Sequence, residues 1–156
     1  MLMNYFRPFL IVLAILFVLI QFFRPVRNNS KTNGEKTLNH LFYVPKDVSI
    51  ILNKACYDCH SNKTFYPWYA NIQPVGWYLD QHISEGKKEL NFDEFGYYST
   101  KRQRNKFKAI ASQIEDNAMP LSSYSLIHSE AKLTQVEKEA IIKWAKSMSN
   151  SFQSLK

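Results

Sequence analysis

The chain has 156 residues, 46% of them apolar and 15% aromatic, and a net charge of +7. This length allows one domain plus an appendage, and four glycines with six prolines exclude the Gly/Pro-rich composition of a disordered chain. Arg7, Arg24 and Arg27 lie in a stretch without acids; removing these three from +7 leaves +4, a mildly basic domain with no charge stripe of the kind that binds nucleic acid.

The first element is "PFLIVLAILFVLIQFF", Pro8 to Phe23, which carries no charge. As a helix it covers about 24 Å, against a bilayer core of about 30 Å. Tyr5 and Phe6 extend its apolar length, and Arg7 can snorkel. No small-x-small pattern follows Phe23, so residues 1–27 read as an uncleaved N-terminal transmembrane helix in preference to a cleaved signal peptide. Arginines on both sides leave the orientation open. Residues 28–38, the end of a polar Asn- and Gly-containing run, read as a linker.

Residues 39–150 read as one small all-α domain, because strand-like alternation is absent. Pro45 suits a first helical turn, and Val48, Ile51, Leu52 and Ala55 share one helical face. "SNKTFYPWYANIQ" reads as a loop. Pro74 opens a second helix that Gly86 is expected to close. "ELNFDEF" reads as a short turn capped by Asn91 or Asp93. In a third helix, Phe107, Ile110, Ala111 and Ile114 follow i, i+3, i+4, i+7 spacing. "AMPLSSYSLIHSEAKL" reads as irregular. Thr134 and Glu137 form a capping box, and Val136, Ala140, Ile141, Trp144 and Met148 form the apolar stripe of the last helix.

Both cysteines of the chain fall in "CYDCH", Cys56 to His60. Four chemistries compete for this spacing. Two thiols two residues apart can form thioethers with the two vinyl groups of one porphyrin, while the next histidine ligates the iron; C-x-x-C-H is the signature of that attachment. Cys56 and Cys59 are then the anchors and His60 the proximal ligand. A dithiol redox pair normally accompanies a βαβ pattern, which is missing here. A closed zinc site needs four ligands, and no second C-x-x-C or H-x-x-x-H exists. A structural disulfide would close a tiny loop and stabilise little. With covalent haem favoured, one axial position remains. Met119, before Pro120 in an irregular segment, is the leading candidate, ahead of His82, His128 and His40. Met/His ligation raises the reduction potential. Trp68 and Trp77 are candidates to pack on the porphyrin and donate to a propionate, with ordinary core packing as the alternative.

The run "ACYDCHSNKTFYPWYANIQPVGWYLDQHISEGKKELNF", with "MPLSSYSLIHSEAKLT" and the Trp144 helix, resembles the membrane-anchored bacterial haem-binding domain family related to cytochrome c. The likeness covers about Leu41 to Ala145 and departs at Asp93, where the family pattern tends to carry serine. It implies one c-type haem on Cys56, Cys59 and His60, and aligns Met119–Pro120 with the family's Met-Pro motif. It also implies that the haem domain faces the extracytoplasmic, periplasmic side, where covalent haem is loaded. The expected protein is therefore a cytochrome c-like electron carrier and not an enzyme, with a redox protein as partner. The alternatives are a haem-based enzyme or sensor with an open sixth position, and a zinc-stabilised structural module.

Overall fold

A computed structural model describes residues 3–152. Among them every regular element is helical, and the sole extended pairing is an isolated bridge between Asn29 and Lys63. The longer helices are α1 (Met3–Ile20), α3 (Lys46–Ala55), α5 (Val75–Glu89), α6 (Thr100–Glu115) and α8 (Gln135–Ser151). Three shorter ones are α2 (Leu38–Leu41), α4 (Tyr57–His60) and α7 (Ser122–Ile127).

The core forms where apolar faces of α3, α6 and α8 meet. Helix α6 and helix α8 make the most extensive packing, α3 lies on α8, and α4 lies on α5. Val48, Ile51, Leu52 and Ala55 are all buried on α3, and Phe107, Ile110, Ala111 and Ile114 on α6, as the periodicity predicts. Phe107 is the hub. Its ring meets Phe42 at 5.2 Å, Phe95 at 5.1 Å and Trp144 at 5.5 Å between centroids, and it is fully buried. Phe107→Ala is expected to cost about 3–5 kcal/mol, since the three neighbouring rings cannot collapse into the space at once; chemical denaturation would measure it.

Local signals fix the helix ends. Ser99 caps α6 by accepting from the Arg102 N–H. Thr134 and Glu137 form the reciprocal capping box expected for α8. Asn91 caps the 3-10 turn Phe92–Tyr97 by accepting from the Asp93 N–H.

Three expectations need correction. Helix α5 does not stop at Gly86 but continues to Glu89, because Gly86 serves close packing and no glycine has positive φ. Val136 is 76% exposed; the buried face of α8 is Ile141, Trp144, Ala145 and Ser149. The segment after Pro120 contains α7, a six-residue helix without a side-chain cap to announce it. The transmembrane helix expected over residues 1–27 finds no support. Among the described residues no helix is long and apolar enough to cross a membrane. Helix α1 has 18 residues with Pro8 inside it, about 27 Å against a bilayer core of about 30 Å. Its side chains are nonetheless exposed on every face from Phe6 to Leu19.

The expected linker is strapped to the domain. The Ser30 N–H donates to the Asn62 carbonyl at 2.9 Å, and the Thr64 N–H to that of Asn28 at 3.2 Å. The Asn28 side chain donates to the Ser61 carbonyl at 3.0 Å and the Thr64 hydroxyl at 2.8 Å, and accepts from Lys87 Nζ at 2.7 Å. These bonds hold the chain that follows the "CYDCH" motif.

Candidate functional site

Helix α3 ends as its buried face runs out, and Cys56 is both its C-cap and the N-cap of α4. That junction lets one turn carry Cys56, Cys59 and His60. The His60 and Cys59 N–H groups both donate to the Cys56 carbonyl, at 2.9 and 3.2 Å, which closes the turn.

His60 has a defined tautomer. Its Nδ1 lies 2.9 Å from both the Gly86 and the Leu90 carbonyl oxygens. Both partners can only accept, so Nδ1 carries the proton and Nε2 keeps its lone pair. Burial, the largest influence, lowers the pKa of the ring against the opposing pull of the two carbonyls. A neutral imidazole with a fixed Nδ1–H is the form that ligates a metal, and its backbone partners orient the ring.

Gly86 makes this contact possible. A Cβ there would lie 2.8 Å from the Cys59 carbonyl oxygen and 3.2 Å from Cys59 Cβ. The obstacle is backbone, so it cannot rotate away. Gly86→Ala adds about 1 kcal/mol of helix propensity but forces α5 away from α4, an overpacking cost of about 1–3 kcal/mol. The expected result is a lower Tm and poorer haem loading, read by calorimetry and absorbance per chain. Gly34→Ala, with nothing within 4 Å of the added Cβ, is the neutral control.

Two adjoining cavities, of about 340 and 310 Å³, open beside this turn. Cys56, His60, Glu89 and Met119 line both. The larger is walled by apolar side chains that include Leu52, Phe92, Ile110 and Ile141. Cys59, His82, Pro120 and Leu121 belong to the smaller. Each volume lies at the small end of the range for ligand sites, about 300–1,000 Å³.

Met119 reaches the cavities through the end of α6. Asn117 takes φ 55°, the left-handed conformation that asparagine tolerates in reversing a helix end. The Gln113 carbonyl then accepts the N–H groups of Ala118 at 2.9 Å and Met119 at 3.1 Å. Lys138 Nζ donates to the Asn117 side chain and ties this turn to α8.

The other candidates separate by environment. His128 has both ring nitrogens engaged, Nε2 with the Tyr69 hydroxyl and Nδ1 with Glu130 at 3.2 Å, and lines neither cavity. His40 is exposed. His82 binds the Tyr78 carbonyl through Nδ1 at 2.8 Å and lines the smaller cavity. Trp68 and Trp77 are not brought to the cavities: Trp68 is 76% exposed, and the Trp77 indole donates to the Phe23 carbonyl at 2.6 Å.

Burial pushes the Cys56 thiol up to about 12, with Cys59 adding to the shift, and the Cys59 thiol up to about 11, with Asp58 adding. Both are neutral thiols near pH 7 and poor attackers in disulfide exchange. Among the described residues no group of three or more His, Cys, Asp or Glu side chains could hold a metal ion, so no ready-made zinc site surrounds the pair.

A sequence model of the haem-binding domain family matches residues 15–147. The chain belongs to the haem-binding domain family. No curated protein and no solved structure matches it. The match begins inside α1 and covers the strap as well as the helical core. A haem-binding domain needs an apolar cleft with an iron ligand at its wall, and the paired cavities beside neutral His60 fit that group.

Sequence reasoning missed the supporting residues. Asp58, inside the motif, accepts from the Tyr124 hydroxyl at 2.8 Å and the Phe65 N–H at 3.1 Å, joining α4 to α7 and to the following loop. Asp93 accepts from the Asn62 N–H at 2.9 Å and the Thr32 hydroxyl at 3.0 Å. Buried Asn91 donates to the Asn62 side chain at 2.8 Å. The "N" and "D" of "ELNFDEF" signalled a turn but not its distant partners.

Proposed function

We propose that this haem-binding domain is a cytochrome c-like one-electron carrier with a single covalently attached haem. The observation that carries the reading is His60, whose Nδ1–H is committed to two backbone carbonyls while Cys56 and Met119 line the same pair of cavities. When bound, haem supplies an iron centre that changes valence by one electron. Cys56 and Cys59 would hold the haem as thioether anchors. His60 would ligate the iron through Nε2, its ring oriented by the Gly86 and Leu90 carbonyls. Met119 would supply a second, sulfur ligand, favouring the reduced state. Leu52, Phe92, Ile110 and Ile141 exclude water from the cleft.

The same reading attaches the protein to a membrane through α1 and puts the haem domain on the extracytoplasmic side, where a redox protein exchanges electrons with it. Its support is the uncharged run from Pro8 to Phe23, exposed on all faces through Leu19. Such a surface is favourable in lipid and costly in water. A mediated redox titration followed by absorbance tests the electron-transfer role. A reversible one-electron transition with both states six-coordinate is expected. A reduced state that opens to carbon monoxide in the unaltered protein would move the assignment to an enzyme or sensor.

A further inference from the structure

Helix α1 does not hang from the domain on a slack tether. At its end the Gln21 side chain and the Gln73 backbone exchange two hydrogen bonds, at 3.1 and 2.8 Å. The Trp77 indole donates to the Phe23 carbonyl at 2.6 Å. The Arg27 guanidinium donates to Asn71 Oδ1 at 2.7 Å and lies 4.0 Å from the centre of the Tyr66 ring. The base of α1 is thus fixed to residues 66–77. Whatever surrounds that base meets this face of the domain too.

That face carries apolar side chains without a protein cover. Phe65 is 78% exposed, and Trp68, Phe22 and Phe23 are exposed to a similar degree. Val75 and Trp77 add to the exposed apolar surface of this segment, and Arg24 and Arg27 are exposed on the chain that leaves α1. Aromatic rings with basic side chains beside them are the composition of a membrane-interface belt. Tryptophan has an apolar body with one polar N–H, and the arginines suit the phosphates of anionic headgroups.

We infer that residues 65–77 form a collar that sits in the headgroup layer of the bilayer entered by α1, with Phe65 and Trp68 inserted and Arg24 and Arg27 on lipid phosphate. The inference rests on the membrane attachment proposed above. It adds that the domain lies against the membrane in one orientation instead of swinging above it. It also accounts for a helix of only 18 residues: the collar continues the apolar surface beyond the end of α1.

The test places the photo-crosslinker p-benzoylphenylalanine at one position at a time in the full-length haem-loaded protein. The protein is reconstituted in vesicles of phosphatidylethanolamine and phosphatidylglycerol. Positions 65 and 68 probe the collar, position 17 on α1 is the lipid control, and position 136 on α8 is the water-exposed control. All four side chains are exposed, so the substitutions leave the fold intact, and unchanged haem absorbance verifies it. Lipid adducts at 65 and 68 comparable with those at 17, and none at 136, are expected. Adducts at 17 without any at 65 and 68 would overturn the collar while leaving membrane attachment standing. Protein adducts at 65 and 68 from native membranes, with no lipid adducts in vesicles, would also overturn it and give the face to a protein partner. Absence of adducts at 17 would remove the membrane reading and the collar with it.

Discussion

Replacing Cys56 and Cys59 together by alanine is expected to abolish haem that survives denaturation and acid–organic extraction. The two are the only thiols of the chain, so no other side chain can form a thioether. His60 is untouched, and so are its bonds to the Gly86 and Leu90 carbonyls. The double variant should therefore still take up haem, now held by coordination and apolar contact alone. Removing a covalent tether turns an intramolecular contact into one that depends on free haem concentration. The single variants should each retain one thioether and stay coloured on a denaturing gel. A heme-stained gel distinguishes the three. A double variant that keeps its stain, or an unaltered protein that never shows any, would contradict thioether attachment.

Met119→Ala is expected to change the iron site more than any other single substitution away from the motif. Thioether sulfur is a soft ligand that favours ferrous over ferric iron. The variant should lose the weak near-infrared charge-transfer band of sulfur-to-ferric-iron ligation, drop in reduction potential, and bind carbon monoxide when reduced. Met119→His should restore six-coordination but keep a low potential, because imidazole stabilises the ferric state better than thioether does. The residue reaches the cavities on a turn held by the Gln113 carbonyl and the left-handed Asn117, so the substitutions should leave the fold intact. His82 is the competitor, since it lines the smaller cavity with Met119. If His82→Ala opens the site and Met119→Ala is spectrally silent, ligation is by two histidines. His128→Ala should change neither property, because both its nitrogens are already engaged.

Much of the site was legible because its signals are local. The Cys56–His60 spacing is set within one helical turn, and the stripes on α3 and α6 follow helical period. The capping box of α8 needs four consecutive residues. What escaped depends on distant partners. Gly86 has the look of a helix stop, yet its missing side chain admits the Cys59 carbonyl from another helix. Val136 fits the heptad-like stripe, but the stripe is buried only where α6 faces α8, beyond the first turn. Asn28, Asp58 and Asp93 are single polar residues whose partners lie 7 to 66 positions away; no periodicity encodes them. Of the aromatics conspicuous in sequence near the motif, Trp77 bonds the Phe23 carbonyl at the base of α1 and Trp68 is exposed.

The central claim is covalent haem on Cys56 and Cys59, and intact-mass spectrometry under denaturing conditions tests it most directly. The full-length protein, made in a host that carries the covalent haem-attachment machinery, should fly as polypeptide plus the mass of one haem. Digestion should then place that mass on the peptide spanning Cys56 and Cys59. A polypeptide mass without haem, from a preparation that was coloured before denaturation, would contradict the claim.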